Sequence, residues 1–554
     1  MKINIKNQLT NRIIKLFMVA IMTTGLFSCQ KNFLEREPLD AISDAAVWQD
    51  VTLINAYVSE VYATLRAGWI DNSRLDISSD DGHGIEKDAA QLIQRGEVTP
   101  SSMGYLLTPW TEYYRTITRC NKFFSNVKGE NLELLKSKNA VRINEMIGEM
   151  KFLRGYAYSK LLAFYGGVPI MPEDFELGDD YNIARSTYDE VLALVVSDLD
   201  QAATLLPLTW PAKDLGRATK GAALAIKSRA LFYAASPSQN PTNDPAKWQK
   251  AADATLAVID LKIYSLHPDY KELFMEKGNY NKEAIFYFIT QQALKSSGEY
   301  RIELKMFPNG AGGWSHPSPT QNLVDCYELK SGKLPKDDPA YDPQNPYVNR
   351  DPRFAASILF DGAPFKGRQL ETFLPGGKDS NAGSGGWNAS WTGYNIRKFI
   401  DENITTPNTL NTSNPNWMYC RYGEILLNYA EIQFNLGKED IAREYLNKIR
   451  DRPSVKMPAV TDVGAALMKR IMNERRIELY AEEHRFFDIR RWKLTFPDKN
   501  LYRVNIVKDL STGKKTYAIA AFQKFDLPEK MYLAPIPQGE REKSPALVQN
   551  PGYQ

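Results

Sequence analysis

Apolar residues that recur at three- and four-residue steps constrain this chain more than any other feature. That period buries one stripe of an α-helix and cannot line one face of a strand. Ile143, Met146, Ile147, Met150, Leu153, Ala157, Leu161 and Phe164 hold the step through residues 143–164, and Gly166, Gly167 and Pro169 stop it. Residues 188–206 repeat the pattern up to Pro207, residues 218–235 form an Ala-rich run suited to close packing before Pro237, and residues 248–261 follow. Residues 422–435 and 440–449 predict a helical hairpin around Gly437. Within it Ala430 and Ala442 stand twelve apart, the spacing at which small residues let paired helices touch in tetratricopeptide repeats. Several such hairpins predict a mostly α fold built as a tetratricopeptide-like helical-repeat scaffold.

Residues 307–393 break this texture. Gly, Pro, Asn and Asp dominate and the periodicity fades. Residues 376–393 hold six Gly together with Trp387 and Trp391, and residues 307–320 set Trp314 among Gly310, Gly312, Gly313, Pro308, Pro317 and Pro319. Long loops inside a folded chain are functional or disordered, and indoles in them suit packed, functional ones. The expected organisation is a leader over residues 1–28 and a single domain over 29–554. Its helical scaffold covers roughly 40–300 and 415–554, and a loop-rich insertion with little β structure covers roughly 301–414.

The leader reading rests on Lys2, Lys6, Arg12 and Lys15, followed by an apolar run over residues 16–27. That run is shorter than the roughly 20 residues a bilayer span requires, and its shape is that of a signal peptide. It ends Leu26-Phe27-Ser28-Cys29, which resembles a lipoprotein cleavage box with one bulky position, Phe27. Cys29 would then be lipidated, including by palmitate. Each buried methylene adds about 0.8 kcal/mol, so two or more chains anchor stably. Of the other cysteines, Cys120 and Cys420 fall in segments that read as helical. With Cys326 they form neither a disulfide framework nor a zinc ligand set.

Lys plus Arg number 69 and Asp plus Glu 66, a net charge of +3 that gives no general pull toward nucleic acid. No zinc-protease helix, nucleophile elbow or phosphate-binding loop is present, so no catalytic residue is assigned. A carboxylate pair for glycoside hydrolysis need not be adjacent in sequence, and nothing positive marks one. Asp76, Asp80, Asp81 and Gly82 begin like a calcium loop, yet Asp81 stands where Gly is needed and Lys87 where Glu is needed. A polar binding loop or a solvated turn remains. No cofactor or structural metal is expected, and a bound calcium ion is left open. In the charge run over residues 474–491, helical spacing pairs Arg475 with Glu478, Glu482 with Arg485, and Asp488 with Arg491, which reads as a salt-bridged helix anchoring its neighbours.

Five segments in order resemble the SusD/RagB family. They are Lys151-Phe152-Leu153-Arg154-Gly155 running to Tyr165-Gly166-Gly167-Val168-Pro169; Arg350-Asp351-Pro352-Arg353-Phe354; Arg421-Tyr422 through Tyr429-Ala430-Glu431; the charged run Ile471 to Trp492, similar to the family's long charged helix; and the tail Pro535-Ile536-Pro537 with Gln549-Asn550-Pro551-Gly552-Tyr553. The resemblance implies a non-enzymatic, lipid-anchored protein of the outer membrane of a Bacteroidota-type bacterium. It implies a SusC-like TonB-dependent transporter as partner, over which the protein closes as a lid. It implies a glycan ligand, or in some members a peptide.

Loop context supplies the expected ligand-binding residues: Trp69, Asp80, Asp81 and His83 from an early loop, and Trp314, Trp387 and Trp391 from the insertion. Indoles would stack on sugar rings and polar groups would meet hydroxyls. The competing readings are a peptide-binding lid, a surface glycoside hydrolase and a helical adaptor with no small ligand.

Overall fold

Helix boundaries follow local capping signals. In the computed structural model the described residues are 44–65, 75–84, 89–173, 178–290, 301–381 and 386–553, so the leader, Cys29 and Trp69 lie outside them. Two units divide the chain, Met1–Asn55 and Ala56–Gln554. In the first, Asp50 Oδ1 accepts from the N–H groups of Thr52 and Leu53 and starts a helix.

In the second, α1 (Leu107–Asn126) is followed by α2 (Gly129–Tyr165), which bends at Asn139, where φ is −160°. The Asn139 side chain accepts from Arg142 N–H and restarts the helix. α3 (Tyr188–Leu205) opens on a reciprocal box between Thr187 and Glu190. Thr219 caps α4 (Lys220–Ala235), and Asp244 caps α5 (Pro245–Ile259), with Pro245 in the position where a missing N–H does no harm. α6 (Tyr422–Asn435) and α7 (Glu439–Arg450) turn through Gly437 at φ +74°. Each helix packs on the next in sequence, and α5 packs on α6 across the insertion. Ala430 and Ala442 are fully buried in one cluster with Leu426, Leu427, Leu446 and Ile449. The repeat spacing thus marks a real helix contact. Each buried Leu there contributes about 1.5–3 kcal/mol. Among the described residues, no helix is long and apolar enough to cross a membrane.

Strands are few. β1 (Gly82–His83) pairs with β3 (Ser318–Pro319), and β2 (Ala284–Phe288) pairs with β8 (Trp417–Arg421). β4 (Ile358–Leu359) pairs with β7 (Asn395–Ile396), and β5 (Pro364–Phe365) with β6 (Arg368–Gln369). The longest ladder, β9 (Asn500–Lys508) with β10 (Lys515–Lys524), lies outside the insertion, in the stretch expected to be helical scaffold. Cys420 sits on β8 and not on a helix; it is buried there, as is Cys120.

The charged run over residues 471–492 is two helices, α8 (Gly464–Glu478) and α9 (His484–Arg491). Ala481 and Glu483 take φ +61° and +65° between them. The cause is the demand for donors at the end of α8, whose last carbonyls have no partner within the helix. Tyr270 OH and Arg421 Nη2 each donate to Glu478 O at 2.9 Å, and Lys398 Nζ donates to Tyr480 O at 2.7 Å. The break also re-aims the charges. Arg475 pairs with Asp488 at 2.7 Å, Glu482 with Arg421 at 2.6 Å and Lys398 at 2.7 Å, and Arg485 with Asp80 at 2.8 Å. Of the three expected pairs only Asp488–Arg491 forms, at 2.8 Å.

These pairs belong to a buried lattice. Glu478 meets Arg353, Arg421 and Arg452, and Glu283 meets Arg421 and Arg452. Glu474 meets Arg353 and Arg450, and Arg450 reaches Glu328. Arg353, Glu328 and Lys398 come from the insertion, so the lattice fixes the insertion to the helical scaffold.

Candidate functional site

The early loop is built from below by polar anchors. Gln94 Nε2 donates to Ser79 O at 2.9 Å and to Gly82 O at 2.8 Å. Asp80 accepts from Arg485 Nε and Arg476 Nη2, each at 2.8 Å, and Asp81 Oδ1 accepts from Arg476 Nε at 2.6 Å. Burial opposes the Asp80 charge, but the two guanidiniums outweigh it and hold the carboxyl well below the usual carboxylate range. Both carboxylates are buried. Their contacts are positional: they fix the loop to α8 and α9. Among the described residues, no group of three or more His, Cys, Asp or Glu side chains stands together as a metal site requires.

The loop then joins the insertion. Thr320 donates to Asp80 O through Oγ1 at 2.6 Å and to Asp81 O through its N–H at 2.9 Å, and β1 pairs His83 with Ser318. This register places the His83 ring 5.6 Å from that of Trp391 and 5.1 Å, edge-on, from that of Phe522 on β10. His83 is 2% exposed, and neither ring nitrogen has a hydrogen-bond partner among the described residues. Burial, with a smaller push from His316, lowers its pKa to about 4, so the ring is neutral at neutral pH.

The two insertion loops are tied to each other. Asn388 Nδ2 donates to Gly313 O at 2.8 Å, and Asn309 Nδ2 to Ser380 O at 3.1 Å. Their close approach needs glycine at Gly310, where a Cβ would stand 2.5 Å from Asp379 Oδ1. Gly313 is held just as tightly within its own loop, where a Cβ would stand 2.2 Å from Phe307 O. Trp314 is half-buried beside this junction, its N–H donating to Leu304 O at 2.9 Å. The Val504 N–H donates to Thr392 O at 3.0 Å and fastens the Trp391 segment to β9.

The outcome is an aromatic platform. Trp387 is 75% and Trp391 45% exposed, an unusual presentation for indoles in a folded chain. Trp391 rests on neutral His83 with Phe522 behind it. The structure thus brings together His83 and Trp391, and joins the loops of Trp314 and Trp387. It sets Asp80 and Asp81 beneath them. Phe522 was not anticipated. Its only sequence signal is the alternation of Tyr502, Val504 and Ile506 ahead of the Gly513 turn, which marks a hairpin.

Comparison with known proteins places this geometry among relatives. A family model described as "SusD family" matches residues 282–553, and one described as "Starch-binding associating with outer membrane" matches residues 32–232. A solved SusD-like protein from Bacteroides fragilis is 27% identical with a TM-score of 0.77, covering 94% of this chain and 100% of that one. A SusD-like carbohydrate-binding protein from the same species is 27% identical with a TM-score of 0.75, covering 91% and 100%. SusD-like protein P25 of Formosa agariphila is 24% identical over 99% of this chain and 100% of its own.

Proposed function

The chain belongs to the SusD/RagB family, and from that premise we propose that it is a cell-surface nutrient-binding lipoprotein that captures an oligosaccharide or polysaccharide and delivers it to a SusC-like TonB-dependent transporter. The observation that carries the reading is the exposure of Trp387 and Trp391 on one insertion loop, with Trp391 seated against His83. Indole faces suit the apolar faces of sugar rings, and neutral polar neighbours suit hydroxyl groups. Trp314 flanks the platform, His83 supports it, and Asp80 and Asp81 hold its early loop. Trp69 is assigned to the site from loop context. Lipidation at Cys29 would tether the chain to the outer membrane. The protein works by binding, without transforming its ligand. The carbohydrate-binding relative from Bacteroides fragilis supports a glycan.

Titration calorimetry of the chain from Gln30 onward against host, plant and microbial glycans and mixed peptides tests this. Saturable glycan binding without product is the expected result. Trp387→Ala and Trp391→Ala are each expected to weaken it by about 0.5–1.5 kcal/mol, roughly two- to tenfold. Binding of peptides alone, or release of shorter glycans, overturns the proposal.

A further inference from the structure

β10 has one strand neighbour, β9, and its other edge is open among the described residues. The direction of its backbone groups follows from β9. The N–H of Val504 donates to Thr392 O, that of Tyr502 to Asn322 Oδ1, and Ile506 O accepts from Leu374 N–H. These three residues turn their backbone groups away from β10. In an antiparallel ladder, residues directly opposite one another face inward together or outward together. Their register partners are Ile519, Ala521 and Tyr517. All three therefore turn N–H and C=O outward. Gln344 serves Tyr517, accepting from its N–H at 3.2 Å and donating to its carbonyl at 3.3 Å. Ile519 and Ala521 have no such partner among the described residues.

The side chains leave this edge unguarded. Residues 516–523 carry no charge and no Pro, and Ala518, Ile519 and Ala521 are exposed. Edge strands are ordinarily blunted by Lys, Pro, a bulge, a cover or short length; β10 runs ten residues and its one register irregularity falls near its end, between Ala521 and Gln523. Positive charge stands only at the ends, on Lys514 and on Lys524, which lies 3.9 Å from Asp526, while Lys515 is taken up by Asp361. We infer that the open edge of β10 is a strand-addition site for an extended segment of a partner protein, apolar or neutral at its centre and acidic at its ends. Outward N–H and C=O groups recur about every 7 Å along such an edge, a ladder that a polypeptide backbone matches and a glycan does not. A second copy of this chain centred on Ile519 fits poorly. Antiparallel pairing about Ile519 would oppose Lys524 to Lys514, and like charges directly opposite are destabilising. The inference stands apart from glycan capture, although Phe522 joins the edge to the platform.

The test uses the full chain and the synthetic peptide acetyl-Glu-Thr-Val-Thr-Val-Thr-Glu-amide, read by hydrogen exchange over residues 515–524 and by sedimentation. The expected result is saturable slowing of exchange at the Ile519 and Ala521 amides by about tenfold or more, equivalent to about 1.4 kcal/mol. A peptide N-methylated on its edge-facing residues should give none. Ile519→Pro removes one outward donor and leaves the β9 ladder intact, so it should abolish the slowing. The N-methylated peptide decides the matter even if that variant folds poorly. No slowing, or slowing that survives N-methylation, overturns the inference. So does a dimer of the free protein that Ile519→Pro dissolves, because the edge would then serve a second copy.

Discussion

Replacing Glu478 by Gln keeps the shape of a side chain at the centre of the buried lattice and removes its charge. Glu478 Oε1 accepts from Arg421 Nη1 at 2.9 Å and Arg452 Nη2 at 2.8 Å, and Oε2 accepts from Arg353 Nη1 at 2.9 Å. The four side chains are at most 1% exposed, so water cannot replace the lost carboxylate. Removing one partner of a buried pair costs about 3–5 kcal/mol. At about 2.1 cal/mol/K per residue, a chain of roughly 500 folded residues has an unfolding entropy near 1 kcal/mol/K, so Tm should fall by roughly 3–5 °C. Burial alone would raise the Glu478 pKa, but Arg452, Arg421 and Arg353 overrule it and hold the carboxyl well below the usual carboxylate range. The stabilisation is therefore fully present above the unfolded value of about 4.3 and is lost as pH falls through the folded one. Calorimetric melts of both proteins at neutral and acidic pH test this. The gap should be widest near neutrality and narrow below about pH 4. Lys456→Ala, which breaks an exposed pair with Asp451, is the control, expected to shift Tm by less than about 1 °C. A Glu478→Gln shift no larger than the control's, or a gap unchanged in acid, would refute the argument.

Asp80→Asn removes the charge that Arg476 and Arg485 share, loosens the loop that seats His83 under Trp391, and should weaken glycan binding, as titration would show. Burial lowers His83 to about 4 and His484 to about 3. The unfolded chain therefore takes up protons below about pH 6.5 while the folded chain does not, and stability should fall as pH drops from there toward 4. His83→Gln should flatten the slope of Tm against pH in that window. Gly313→Ala pushes a Cβ into Phe307 O and should cost about 1–3 kcal/mol, with a change in Trp fluorescence as the Trp314 loop moves.

The helices were legible because their signal is local. Ile143 to Phe164, the run over residues 188–206 and the Ala430–Ala442 spacing each lie within a few turns of the chain they describe. The break in the charged run was not, because its cause is remote: Tyr270, Lys398 and Arg421 supply the donors that end α8. Positive φ at Ala481 and Glu483 leaves no mark in composition, since neither is Gly or Asn. The same limit applies at the site. Trp387 and Trp391 stood out because indoles in a Gly-rich loop have no helix face to bury. Asp80 and Asp81 read alike whether they meet a sugar hydroxyl or an arginine, and the deciding partners lie about 400 positions away.

That remoteness has a physical consequence for the platform. An apolar contact between insertion and scaffold would tolerate sliding by fractions of a side chain, because hydrophobic burial is non-directional. A carboxylate shared between two guanidiniums does not, since its hydrogen bonds fix both distance and angle. The Asp80 pairs and the Glu478 lattice join the same helix, α8, to the early loop and to the insertion. One helix thereby positions the loop of His83 and, through Arg353, the start of the insertion strand β4, which pairs with β7 just after Trp391. Buried ion pairs contribute little net stability compared with apolar packing of equal volume. Their value at this position lies in orientation: because Glu478 also serves Arg421 and Arg452, and Glu474 also serves Arg450, no single link of the lattice can be removed without leaving a buried charge unpaired.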